Sequence, residues 1–91
     1  MVEITTQTGF KCSISKRIVE DWRLLEAISD IESKEPKRMQ SGTFAMVNIV
    51  FGENKKDLIE HIQKLNDGLC PTSEMMKETN DVITQLKELK N

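Results

Sequence analysis

Ninety-one residues, 37% of them hydrophobic and only 4% aromatic, describe one small domain whose core must be built from Leu, Ile, Val and Met. Charged residues make up 31% with both signs mixed and a net charge of −2, which argues against disorder and against a nucleic-acid binder with a basic face. No apolar run approaches the ~20 residues that span a bilayer, and no signal-peptide pattern opens the chain, so a cytosolic protein without a membrane partner is expected.

Residues 1–14 read as a β-hairpin. Val2, Ile4 and Thr6 alternate with Glu3, Thr5 and Gln7, the period of a half-buried strand. Thr8-Gly9 supplies the turn, and Phe10, Cys12 and Ile14 then alternate with Lys11 and Ser13. A lone hairpin is marginal in water, so its apolar face must lie on the helices or extend a sheet in a neighbour.

Residues 15–33 predict one amphipathic helix. Ser15 fits the N-cap, with Ile14 and Val19 placed as a hydrophobic staple. Ile18, Trp22, Leu25, Ile28 and Ile31 recur every three or four residues, and Leu24 widens this stripe, which is expected to face the core, with a contact of part of it to another chain as the lesser alternative. The pattern ends by Ser33, and Pro36 forbids continuation through it. Ser33 to Gly42 reads as a polar, solvated connection with a small basic cluster, Lys34, Lys37 and Arg38.

Residues 43–51, TFAMVNIVF, form the most apolar run. Its β-branched content also suits a strand, but Gly52 follows like a helix-ending glycine, and a helix is predicted. Such a short helix, apolar on more than one side, either fills the middle of a bundle or leaves surface for a partner. Phe44, Met46, Val47, Val50 and Phe51 are therefore the candidate partner-binding or self-association residues.

Asn54 predicts the cap of a third helix over residues 54–66, with Leu58, Ile59, Ile62 and Leu65 as its stripe and Asn66-Asp67-Gly68 as its end. His61, the lone histidine, lies beside that stripe and reads as structural. A last helix covers residues 72–90, with Thr72 as cap and Thr79, Val82, Leu86 and Leu89 as a seam. Lys87 and Lys90 near its end suit the helix dipole.

The chain is thus expected to be mainly α, a bundle of about four helices with a short N-terminal hairpin. No nucleophile–base pair, phosphate loop or metal spacing occurs, so no enzyme, cofactor or metal is expected. Cys12 and Cys70 read as reduced structural thiols, with a disulfide between them as the lesser alternative. The acidic residues read as solvated helix faces.

Thr8-Gly9-Phe10-Lys11-Cys12, a strand ending at Ile14, then Asp21-Trp22 and Leu24-Leu25-Glu26-Ala27-Ile28, resemble the tail assembly chaperones of long-tailed phages of Gram-positive hosts. Those proteins carry a TGFK turn before a DW-x-LLEAL-type helix. Val50-Phe51-Gly52 and Asp67-Gly68-Leu69-Cys70-Pro71 continue the likeness in the same order over nearly the whole chain, in the manner of the tape measure protein chaperones of lactococcal siphophages. The chain departs from them in a more basic 33–42 connection and in fewer acids in its first helix. The resemblance implies a helical homo-oligomer, ring or spiral, that coats the tape measure protein until tail tube subunits polymerise. It further implies action in the cytoplasm of the infected host and absence from the mature virion. The competing reading is a small helix-turn-helix regulator. It would need a recognition helix rich in Arg, Lys, Asn and Gln, whereas Lys55, Lys56, Gln63 and Lys64 are interleaved here with Asp57 and Glu60.

Overall fold

A computed structural model of the chain describes residues 1–89. Strands β1 (Val2–Thr5) and β2 (Lys11–Ile14) pair antiparallel, with Ile4 opposite Cys12 and Val2 opposite Ile14. Thr6 N–H donates to the Phe10 carbonyl at 2.8 Å and Gly9 N–H to the Thr6 carbonyl at 2.9 Å. Gly9 takes a φ of 93°, a conformation that a Cβ would disfavour. Ile4, Thr6, Phe10, Cys12 and Ile14 are buried, and the residues between them face out. The alternation of paired and outward carbonyls turns those of Thr5 and Ser13 to opposite edges. Each meets a side-chain amide there, Gln85 Nε2 at 3.0 Å and Asn54 Nδ2 at 3.3 Å, so both edges are partly occupied.

The single helix expected over 15–33 is two. Ser15 Oγ accepts from Arg17 N–H at 3.3 Å and opens a 3-10 turn, Lys16–Glu20. Asp21 then adopts an extended conformation and restarts the chain as helix α1 (Trp22–Ile31), its carboxylate accepting from Arg23 N–H at 2.8 Å. An Asp at a helix start competes well against continuing the preceding turn, because it satisfies a donor that the new helix leaves open. The break shifts the phase of everything after it. Leu24 and Ala27 become the buried positions of α1, Ile28 and Ile31 are half-buried, and Trp22 and Leu25 are 69% and 59% exposed. The expected core stripe through Trp22 and Leu25 is therefore corrected.

The expected connection over 33–42 is largely helix. Helix α2 runs Pro36–Phe51, and Pro36 stands in its first turn, where its missing N–H has no intrahelical partner to lose. Only the bend at Ser33–Glu35 remains, with Lys34 at a φ of 67° and the Ser33 hydroxyl donating to the Asp30 carbonyl at 2.7 Å. Arg38 closes it from the other side through Asp30 at 2.9 Å, so the basic cluster is partly tied down. Gly42 lies inside α2, where a Cβ would stand 2.6 Å from the Ala27 carbonyl oxygen and 3.0 Å from the Ile31 nitrogen. Its role is close helix approach and not a turn.

Gly52 ends α2 as expected, and a 3-10 turn (Gly52–Asn54) leads into α3 (Lys55–Leu65). Asn54 stands at the cap position but makes no cap hydrogen bond, its amide being used on the hairpin edge. Asn66 to Gly68 stop α3, and Gly68 N–H donates back to the Gln63 carbonyl at 2.8 Å. Helix α4 (Thr72–Leu89) begins with Thr72 already inside it, since the Pro71 carbonyl accepts from Glu74 and Met75. The expected last helical residue, Lys90, lies outside the described residues.

These four α-helices and one hairpin make a small mainly α fold, as the periodicities predict. Phe51, Leu58, Ile62, Val82 and Leu86 are its most enclosed apolar side chains. Phe10 reaches them from the hairpin, its ring 6.2 Å from that of Phe51 in an edge-on arrangement. The α4 seam holds for Thr79, Val82 and Leu86, all buried, and fails at Leu89, which is exposed.

Candidate functional site

The two flanks of α2 have different fates. A helix advances about 100° per residue, so Gly42 and Met46 share one side and Thr43, Phe44, Val47 and Asn48 the other. The first side packs on α1: Gly42 meets Ala27 and Ile31, and Met46 shares a cleft with Ile28 and Ile31. The second side is only partly covered, with Val47 buried and Phe44 and Asn48 exposed. Together with Lys55 and Ile59 of α3, Cys70 of the following connection, and Thr72 and Met75 of α4, it lines a groove of about 610 Å³.

Val47, Ile59, Cys70 and Met75 give the groove apolar walls, and Phe44 stands at its mouth with 62% of its surface exposed. Lys55 is the cation of the lining. Its Nζ donates to Asn48 Oδ1 at 2.7 Å and joins no ion pair among the described residues. The Cys70 thiol is pushed above the ordinary thiol range by burial, so it enters the groove as a neutral, weakly polar group. A cleft of this kind binds apolar side chains and orients them with a few polar atoms.

Of the five residues singled out in the sequence, the structure brings two to this groove, Phe44 at the mouth and Val47 in the wall. Met46, Val47, Val50 and Phe51 are all buried and belong to the core cluster, and of these only Val47 also reaches the groove wall, so Phe44 alone of the five stands exposed. Ile59, Cys70 and Met75 were not singled out, because each comes from a different element and no local period connects them. The outer face of α1, where Trp22 and Leu25 stand exposed one turn apart, is a different case, since a local period does connect them and points to the core.

A second cluster is polar and centred on two buried residues, Thr6 and Glu78. Glu78 of α4 is 3% exposed, which overturns the reading of all the acidic residues as solvated. Its Oε1 accepts from Thr6 Oγ1 at 3.2 Å and from Thr8 Oγ1. Since the Thr8 hydroxyl has one hydrogen and spends it on Glu78, His61 Nε2, 3.0 Å away, is the donor to that oxygen. The His61 ring also lies 5.4 Å from that of Phe10, so it is structural as expected. One turn on, Asp81 accepts from Gln7 N–H at 2.8 Å and from Gln85 at 3.0 Å. The cluster holds the hairpin turn to α4 through Glu78 and Asp81 and to α3 through His61. No buried side-chain polar atom is left without a partner among the described residues.

Cys12, inside the hairpin, has its thiol pushed up by burial and then by the nearby Glu78 carboxylate. Both cysteines are free. Among the described residues no group of His, Cys, Asp and Glu is arranged to hold a metal ion, and no helix is long and apolar enough to cross a membrane. Comparison with family models, with curated proteins and with solved structures found no match to this chain.

Proposed function

We propose that the protein is a tail assembly chaperone that holds a hydrophobic helical client, the tape measure protein of its phage, soluble until tail tube polymerisation. The observation that carries this reading is the groove beside α2, with apolar walls, Phe44 exposed at its mouth and one cation in its lining. A groove between helices suits an amphipathic helix that inserts apolar side chains one or two turns apart. A very long helical client exposes such stripes along its length and aggregates unless they are covered. Many small copies, each contributing one modest contact, cover it with high total avidity while each contact stays individually reversible. The resemblance in the TGFK turn and the DW-x-LLEAI helix supports the same reading, with a homo-oligomeric ring or spiral acting in the host cytoplasm and absent from the finished virion.

The test is co-expression of the tagged chain with the tape measure protein of the same phage. Soluble tape measure protein, co-purified at many copies of this chain per client, is the expected result. Ile59→Asp and Phe44→Asp are expected to abolish that solubility while circular dichroism stays unchanged. Client that remains insoluble beside a folded wild-type chain would overturn the proposal.

A further inference from the structure

We propose that in the absence of client the groove takes the outer face of α1 from a second copy of this chain. The inference rests on the reading of the groove as a helix-binding site and adds what regulates it.

Helix α1 has the character of a groove ligand. Leu24 and Ala27 are buried, and Trp22, Arg23, Leu25, Glu26 and Ser29 lie exposed, with Arg23 tied back to Asp21. That exposed side presents an apolar pair at i, i+3 with a carboxylate beside it. Residues 20–32 carry five acids, Glu20, Asp21, Glu26, Asp30 and Glu32, against Arg23, a net of −4. Glu20, Asp21 and Asp30 already have arginine partners, whereas Glu26 is in no ion pair among the described residues. Lys55 of the groove is equally unpaired. The two surfaces therefore match in shape class and in charge, a Trp–Leu ridge with a free carboxylate against an apolar cleft with a free ammonium.

The two surfaces cannot meet within one molecule. Helix α1 packs on the Gly42–Met46 side of α2 and the groove lies on the other side. The contact is thus between different patches on the two copies, and each bound pair leaves one groove and one α1 face unfilled. Two turns of helix in a cleft bury less than the ~1,200 Å² at which stable complexes begin, so the contact is weak and exchanges readily. A long client offering many helical turns displaces it by mass action, so this contact and client binding compete, and a ring or spiral on the client is held by contacts other than this one.

Trp22 is the chain's only tryptophan, so its fluorescence reports this contact directly. The experiment is sedimentation velocity with tryptophan emission over a concentration series, on the wild type, Leu25→Asp and Phe44→Asp. The wild type is expected to grow in size and shift its emission to the blue as concentration rises, with each variant weakened about tenfold or more. An equimolar mixture of the two variants is expected to form a one-to-one dimer and nothing larger, because only one intact groove and one intact α1 face remain. Glu26→Lys is expected to weaken association, and mixing it with Lys55→Glu to restore a dimer. These two exposed charge variants also serve if either aspartate variant loses its far-ultraviolet spectrum. A mixture that stays monomeric, or variants that associate like the wild type, would overturn the inference. A monomeric wild type that still captures client through Phe44 would sink this inference and spare the chaperone reading. Association by this route with no client capture would do the reverse.

Discussion

Two joints hold the molecule together by opposite means. Between α1 and α2 the closest approach needs a missing side chain: Gly42 lets backbone meet backbone at the Ala27 carbonyl. Between the hairpin and α4 the contact is a row of polar groups, Glu78 with Thr6 and Thr8, Asp81 with Gln7, and Gln85 with Thr5. The first joint is specified by the absence of volume and tolerates no addition. The second depends on each acceptor finding its donor, because a buried carboxylate is costly unless its hydrogen bonds are met.

The sharpest way to break the comparison is at Gly42. Its missing Cβ would meet backbone atoms that have no rotamer to escape into, so Gly42→Ala is expected to cost about 2–3 kcal/mol in a denaturant titration. A cost below half a kcal/mol would mean that the helices slide apart freely. Glu78→Ala, which strips the acceptor from two threonine hydroxyls, is expected to cost about 2 kcal/mol, and Glu78→Gln about half of that.

The two joints also differ in what their loss exposes. Cys12 sits on the inner face of the hairpin, so lifting the hairpin uncovers it. Glu78→Ala is expected to speed alkylation of Cys12 more than Gly42→Ala does at matched stability, read by peptide mass mapping against Cys70 as the internal control. Equal rates would mean that the joints open together. The Cys12 thiol, held above its ordinary range, adds a pH signature. Its neutral form is favoured by folding, so this contribution is complete below the unfolded thiol's range and declines as pH rises through and beyond it. Cys12→Ser is expected to flatten that alkaline slope in the midpoint of urea unfolding.

The smallest effects sharpen the edges of the comparison. Gln85→Ala and Asp81→Ala each remove a solvent-exposed bond of the hairpin joint and are expected to cost about 0.5–1 kcal/mol. Phe44→Asp, in contact with neither joint, is expected to leave the unfolding midpoint in place.

The sequence by itself determined what is written in adjacent residues. Alternation and Gly9 specify the hairpin, Gly52 and Asp67-Gly68 end their helices, and the 3.6-residue period specifies α3 and α4, because backbone conformation and capping act over a few residues. The tertiary structure decided the rest. Asp21 divided the predicted first helix and turned Trp22 outward, a competition between two starts that a continuous apolar stripe conceals. Pro36 and Gly42 read as breakers because isolated propensity says so, and became the start and the contact point of α2 because α1 lay there to pack against. Glu78 looks like any surface acid until the hairpin turn brings Thr6 and Thr8 to it. The apolar run over 43–51 announced burial but not its division, in which Met46, Val50 and Phe51 went to the core and Phe44 to the groove. That division depends on which sides of a cylinder find neighbours, and those neighbours are set by chain segments tens of residues away.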